Sequence, residues 1–327
     1  MFTREPGPDA VIIGAPKAGT SALHAALARH PQIFASPIKE PKYYLCGGAP
    51  PPAYRGPGDA HSRQEWVWRR SDYQSLFAGA PEQSVRLEST PFYLYSADAR
   101  RRIADDLPQA RLIAVIRDPI DRAYSNWMHL WVDGLEPEPD FAAACELEQQ
   151  RIAAGWAPFW HYRQMGRYGE QLADLFARVD RDRVLVLRYR KLVEEPDQTL
   201  NLVSRFLGIG ENQIPSIPAD NSRVFVGRGL RTVALGRMIR LGAAAGSLVP
   251  PQVWRKASSP LVAALQSGSN ERRPKLTEEQ REQLLQPLIA DIDLLEQVLG
   301  QSFADWRSRT GRGSFADRAP KPGIGPG

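Results

Sequence analysis

Three short runs of apolar, largely β-branched residues stand out along the chain: Asp9–Gly14 (DAVIIG), Arg111–Ile116 (RLIAVI) and Arg183–Leu187 (RVLVL). Each is short and almost continuously hydrophobic, the pattern of a strand buried on both faces. Elsewhere apolar positions recur at helical spacing. They predict helices over Ser21–His30, Asp98–Asp106, Asp121–Trp131, Phe141–Ala153, Tyr168–Arg178, Asp197–Leu207 and Thr277–Leu299. Thr20 or Ser21 is the expected N-cap of the first helix, and Asp121 a cap for the third. Buried strands alternating with helices predict an α/β fold, with a central parallel sheet flanked by helices on both faces in a single domain over 8–310. Such sheets bind ligands at the carboxyl ends of their strands, where the segments APKAGTS and RDPIDR both fall. The Pro/Gly-rich stretch Gly47–Arg63 reads as a surface loop or flap, and Gly311–Gly327 as a disordered tail.

Composition narrows the class without deciding it. At 327 residues, with 43% hydrophobic and 24% charged residues, the chain has ordinary globular proportions. No apolar run is long enough for a membrane span, and the first residues lack a secretory signal pattern. Two cysteines, Cys46 and Cys145, cannot make a disulfide framework, so a reducing cytoplasm, of a bacterial cell, is the expected setting. The net charge of +5 is too mild to make nucleic acid the expected partner. It is concentrated: Asn221–Asn270 holds seven Arg and Lys and no acid. Within it, residues 228–241 carry apolar and basic faces at helical spacing. They read equally as a helix packed on the domain, a lid over an acceptor, or a peripheral membrane contact.

Two segments carry chemistry. Gly14-Ala15-Pro16-Lys17-Ala18-Gly19-Thr20-Ser21, between a strand and a helix, combines small residues, free backbone N–H groups and one ammonium, which suits an anion. Its glycine spacing is that of the nucleotide P-loop, but the lysine lies inside the loop at Lys17 and not after the second glycine. The domain is therefore P-loop-like rather than a standard P-loop. A plain strand–helix turn with an exposed lysine would be spelled the same way. In IRDPIDRAYSNWMH, Arg117 sits at a strand end while Ser125 and His129 share a helix face, which suits a second phosphate. The blander reading pairs Arg117 with Asp118. The histidines show no metal-ligand spacing, and no metal is expected.

Together, PKAGTS and IRDPIDRAYSNWMH resemble the two cofactor motifs of the sulfotransferases that use 3′-phosphoadenosine 5′-phosphosulfate (PAPS). The likeness is to the heparan-sulfate and bacterial carbohydrate, lipid or natural-product branch. IKEPKYY (Ile38–Tyr44), LESTPFYL (Leu87–Leu94), LRYRKLVEEP (Leu187–Pro196) and LLEQVLGQSFADW (Leu294–Trp306) resemble further segments of that branch. The resemblance implies that Lys17, Ala18, Gly19, Thr20 and Ser21 hold the 5′-phosphosulfate and that Arg117 and Ser125 hold the 3′-phosphate. It places Tyr189 at the adenine edge, Glu40 as general base and His129 near the sulfuryl group, with either Glu40 or His129 able to serve as the base. Two departures stand out: Ser89 where the carbohydrate enzymes often have lysine, and GSNERRP, where Arg272 or Arg273 substitutes for a Gly-Arg loop. The implied reaction moves a sulfuryl group from PAPS to a hydroxyl or amine of a carbohydrate, glycolipid or secondary metabolite, releasing adenosine 3′,5′-bisphosphate (PAP). A P-loop-type kinase is the alternative, disfavoured by the displaced lysine. A non-catalytic basic module would leave both motifs unexplained.

Overall fold

The computed structural model describes residues 7–57, 66–214 and 276–307. The basic segment 221–270 with its 228–241 helix, Arg272, Arg273 and the 311–327 tail lie outside the described residues. Five parallel strands form one sheet in the order β2-β3-β1-β4-β5: β1 Ala10–Gly14, β2 Ile33–Ala35, β3 Val85–Ser89, β4 Arg111–Ile116 and β5 Val184–Arg188. Central β1 is buried along its whole length, as its unbroken apolar run requires. Helices surround the sheet. In chain order the first are α1 Thr20–Leu27, α2 Tyr43–Cys46, α3 Arg70–Ser75, α4 Ala97–Asp106 and α5 Pro119–Val132. They are followed by α6 Phe141–Glu146, α7 Glu148–Ala153, α8 Tyr168–Phe176, α9 Tyr189–Glu194 and α10 Pro196–Leu207, with α11 Glu278–Leu285, α12 Ile289–Leu299 and α13 Ala304–Arg307 last.

The periodicity locates β1, β4, β5 and most helices. The differences have local causes. The run expected as one helix over Phe141–Ala153 is two, because the chain bends at Leu147 to bury Glu148. There Glu148 accepts the Gln164 N–H at 2.9 Å. The run over Thr277–Leu299 is interrupted by a 3₁₀ turn at Gln286–Leu288, where Pro287 has no N–H for an α-helical bond. Thr277 starts α11 with a reciprocal capping box to Gln280. Asp291 on α12 accepts the N–H groups of Gly169 and Glu170, both at 2.9 Å, and so binds the C-terminal helices to the start of α8. Strand β3 was not expected because it places charged Arg86 and Glu88 inside. Arg86 is satisfied by Asp9 at 2.9 Å, and Glu88 is fully buried beneath the site.

Candidate active site

Parallel pairing brings the carboxyl ends of all five strands to one edge of the sheet, and every strand delivers a candidate site residue there. Lys17 follows β1, Glu40 follows β2, Ser89 ends β3, Arg117 follows β4 and Tyr189 follows β5. The sheet order changes direction at β1, whose neighbours β3 and β4 lead to opposite halves, so the loop after β1 opens at the switch point.

That loop is tightly wound. Lys17 and Gly19 are both left-handed, with φ of 67° and 88°, the backbone pattern of anion-binding nests. Its first glycine permits close packing: a Cβ on Gly14 would lie 2.5 Å from the Leu94 Cβ. The cap of α1 differs from the expectation. Gly19 takes that position, with Thr20 the buried first helical residue and Ser21 exposed behind it. No side chain caps α1 and no acid occupies its first turn, which leaves the positive end of the helix dipole to a ligand.

Arg117, Tyr189 and the loop form one assembly. The Arg117 guanidinium donates to the Lys17 carbonyl at 3.2 Å and lies 4.6 Å from the centre of the Tyr189 ring, a cation–π arrangement. That ring packs over Gly19, where an added Cβ would come within 2.9 Å of it. Asp118 does not pair with Arg117 as the blander reading has it. One of its oxygens caps α5, accepting the N–H groups of Ile120 and Asp121 at 3.0 Å each, and the other accepts from Arg281. The expected cap at Asp121 is thus corrected to Asp118. Ser125 is half-buried on α5, four residues before His129. His129 lies 3.6 Å from the Asp133 carboxylate and edge-on to Phe159, with ring centres 5.4 Å apart.

Glu40 belongs to a second assembly on the β2–β3 side. It is left-handed (φ 62°), donates its N–H to the Ser89 carbonyl at 3.0 Å and pairs through its carboxylate with Lys39. Ser89 also contacts His24 of α1, hydroxyl to Nδ1 at 2.7 Å, which links this assembly to the helix that leaves the anion loop. Burial, with the Lys39 charge adding to it, pulls the His24 pKa down to about 4 and keeps the ring neutral. Beneath lies Glu88, accepting from the Tyr73 hydroxyl and the Thr90 hydroxyl, each at 2.7 Å. Thr90 Oγ1 in turn accepts the Lys42 N–H at 3.3 Å. Desolvation raises the Glu88 pKa to about 7, opposed by those hydroxyl bonds. Sequence reasoning missed Lys39, His24, Glu88 and Arg281. The first three lie within or beside recognised segments, whereas nothing in the sequence singles out Arg281, 163 residues from its partner Asp118.

A tightly wound loop suited to an anion at the switch point of a parallel sheet, a guanidinium after the adjacent strand and a carboxylate across β1 make up the candidate site of this α/β domain. The chain belongs to the sulfotransferase family, whose sequence pattern matches residues 8–212. It is 29% identical over 203 residues to mouse (Mus musculus) heparan sulfate glucosamine 3-O-sulfotransferase 3A1, covering 62% of this chain and 46% of that protein. It is 25% identical over 256 residues to mouse bifunctional heparan sulfate N-deacetylase/N-sulfotransferase 3, covering 75% and 27% respectively. The chain thus spans about half the length of the first of these relatives or less. The crystal structure of a sulfotransferase from Alicyclobacillus acidocaldarius shares the fold, with TM-score 0.71 and 24% identity over 94% of this chain and all of that one. Among the described residues no group of His, Cys, Asp and Glu could hold a metal ion, and no helix is long and apolar enough to cross a membrane.

Proposed function

We propose that the protein transfers the sulfuryl group of PAPS to a hydroxyl or amine of a carbohydrate, glycolipid or secondary-metabolite acceptor. The observation that carries this reading is the contact set joining Lys17, Gly19, Arg117 and Tyr189 across three strand ends. These residues fit an adenosine 3′,5′-bisphosphate skeleton: a nest and an uncapped helix for the 5′ side, a guanidinium for the 3′-phosphate, and an aromatic ring between them.

When bound, PAPS supplies an electrophilic sulfur whose displacement in line releases PAP. Lys17 would hold the 5′-phosphosulfate, and its ammonium would stabilise the negative charge that grows on the leaving oxygen, favouring the transition state over the ground state. Glu40 takes the acceptor proton, an effect worth roughly 10²–10⁴ in rate for a positioned base. Lys39 holds that carboxylate in place until an acceptor hydroxyl replaces it. His129, beside Asp133 at 3.6 Å, would approach the sulfuryl group from α5. Arg272 or Arg273 completes the donor site in the same proposal, and a cytoplasmic setting accords with both cysteines being buried and unpaired.

The kinase alternative needs a carboxylate at a strand end to hold magnesium. The carboxylate there, Asp118, is committed to the α5 cap and to Arg281. Calorimetric titration with PAP and with ADP, each with magnesium and with EDTA, tests the reading on wild type and Lys17→Ala. Metal-independent binding that strongly prefers PAP and weakens in the variant is expected; magnesium-dependent ADP binding without that preference would refute it.

A further inference from the structure

We infer that Thr90, which no step of the proposed mechanism uses, is a positioning residue for Glu40. Its buried hydroxyl, held from below by Glu88, fixes the bend that carries the base. The inference rests on the general-base role proposed for Glu40.

Glu40 and Lys42 both have left-handed backbone, at φ 62° and 63°. Residues with side chains rarely take that conformation, and it persists where surrounding contacts over-determine it. Pro41 between them has no N–H to give. The bend is pinned by bonds at each of its three residues. Glu40 donates its N–H to the Ser89 carbonyl at 3.0 Å, the Pro41 carbonyl accepts the Val67 N–H at 2.9 Å, and the Lys42 N–H reaches Thr90 Oγ1 at 3.3 Å. The last of these is made to a side chain, so a substitution can remove it alone. Thr90 is fully buried, and its own N–H donates to the Ile12 carbonyl of β1 at 3.1 Å. A hydroxyl has one proton and two lone pairs. Thr90 gives its proton to Glu88 Oε1 at 2.7 Å, which turns a lone pair toward Lys42. Glu88, also fully buried, receives the Tyr73 hydroxyl on its other oxygen at 2.7 Å. Thr90 needs only an acceptor oxygen there, which a carboxyl offers whether or not its other oxygen holds a proton, so the anchor does not depend on the charge of Glu88. The Tyr93 hydroxyl repeats the arrangement a step further on, accepting the Tyr44 N–H of α2 at 3.3 Å. This buried layer ties Glu40 to β1, the strand from which the anion loop leaves, and so fixes the base relative to the loop that bears Lys17.

The test is cleavage of PAPS to PAP and sulfate by the full chain, with water as the acceptor. A water oxygen bonds to sulfur, the bond from sulfur to the bridging oxygen breaks, and the water proton passes to Glu40. Rates and PAP affinities are compared for wild type, Thr90→Val, Thr90→Ser, Glu40→Gln and the variant combining Thr90→Val with Glu40→Gln. Thr90→Val is expected to lower kcat by about ten- to a hundredfold, the scale of a small misplacement, with PAP affinity within a factor of about two. Thr90→Ser, which keeps the hydroxyl, should recover most of that rate. In the Glu40→Gln background Thr90→Val should cost nothing further, because it acts through the base. An unchanged kcat in Thr90→Val, no recovery with serine, or an equal loss in both backgrounds would overturn the inference. Amide hydrogen exchange of the wild type needs neither turnover nor a folded variant. The Lys42 N–H is expected to exchange at least about tenfold more slowly than in an unstructured chain, and exchange at the unstructured rate would also overturn it. Should Glu40→Gln cleave PAPS as fast as wild type, the base assignment itself is removed, whatever Thr90 does.

Discussion

Replacing Gly19 by alanine tests the donor site at its tightest point. The added methyl group would lie 2.9 and 3.0 Å from two carbons of the Tyr189 ring and 3.2 Å from Leu192 Cδ2, on a backbone at φ 88°. The left-handed conformation costs a non-glycine residue about 1–2 kcal/mol. The overlap with a ring held between Arg117 and the loop adds about 1–3 kcal/mol, as overpacking does elsewhere. Equilibrium denaturation separates the two contributions. In a Tyr189→Ala background the ring is gone, so Gly19→Ala should retain the backbone cost and the milder Leu192 contact but lose the ring overlap. Because the ring must move in the single variant, the Arg117 guanidinium loses its stacking partner and PAP affinity should fall by about tenfold, the equivalent of 1.4 kcal/mol. Equal destabilisation in both backgrounds, or unchanged PAP affinity in the single variant, would refute the packing described for Gly19, Tyr189 and Arg117.

Glu40→Gln should lower turnover by about 10²–10⁴ while leaving PAP affinity within a factor of about two, read by steady-state kinetics beside calorimetry. Glu88, raised from 4.5 to about 7 in the fold, makes folding bind a proton in that window. Its contribution to stability is therefore lost as pH rises from about 4.5 through 7, a penalty on the order of 3 kcal/mol, and Glu88→Gln should flatten that part of the stability–pH curve. Glu136→Ala leaves the buried Arg151, which donates to it at 2.7 and 2.9 Å, without its carboxylate. It should cost about 3–5 kcal/mol by denaturation while PAP affinity holds in the folded fraction.

How far the sequence discloses this molecule depends on what each segment buries. DAVIIG and RLIAVI bury apolar residues on both faces, so their spelling is enough to place β1 and β4, and with them the loops bearing Lys17 and Arg117. VRLES hides a strand because two of its five residues are charged and buried, Arg86 against Asp9 and Glu88 against two hydroxyls. Only the tertiary fold reveals that these charges are satisfied. β2 has three residues, too few for any periodicity. The grouping of Gly19, Arg117 and Tyr189 could be anticipated because each follows a strand of a parallel sheet. Arg281 could not, since its helical pattern is ordinary and its partner Asp118 caps a helix 163 residues away.

The sheet divides the work of the site at β1. The anion loop, Arg117 and Tyr189 come from β1, β4 and β5, whereas Glu40, Lys39 and the Ser89–Glu88 support come from β2 and β3. On the proposed mechanism these are the donor and acceptor halves, joined by the β1–β3 pairing and, at the site, by the contact of His24 with Ser89. On that mechanism, such a partition would make the acceptor half exchangeable. The exposed side chains between Ile33 and Leu94 would then be open to change for a new hydroxyl or amine while the residues proposed to hold the donor stay as they are. Chimeras joined before Ile33 and after Leu94 would then inherit donor affinity from one parent and acceptor choice from the other.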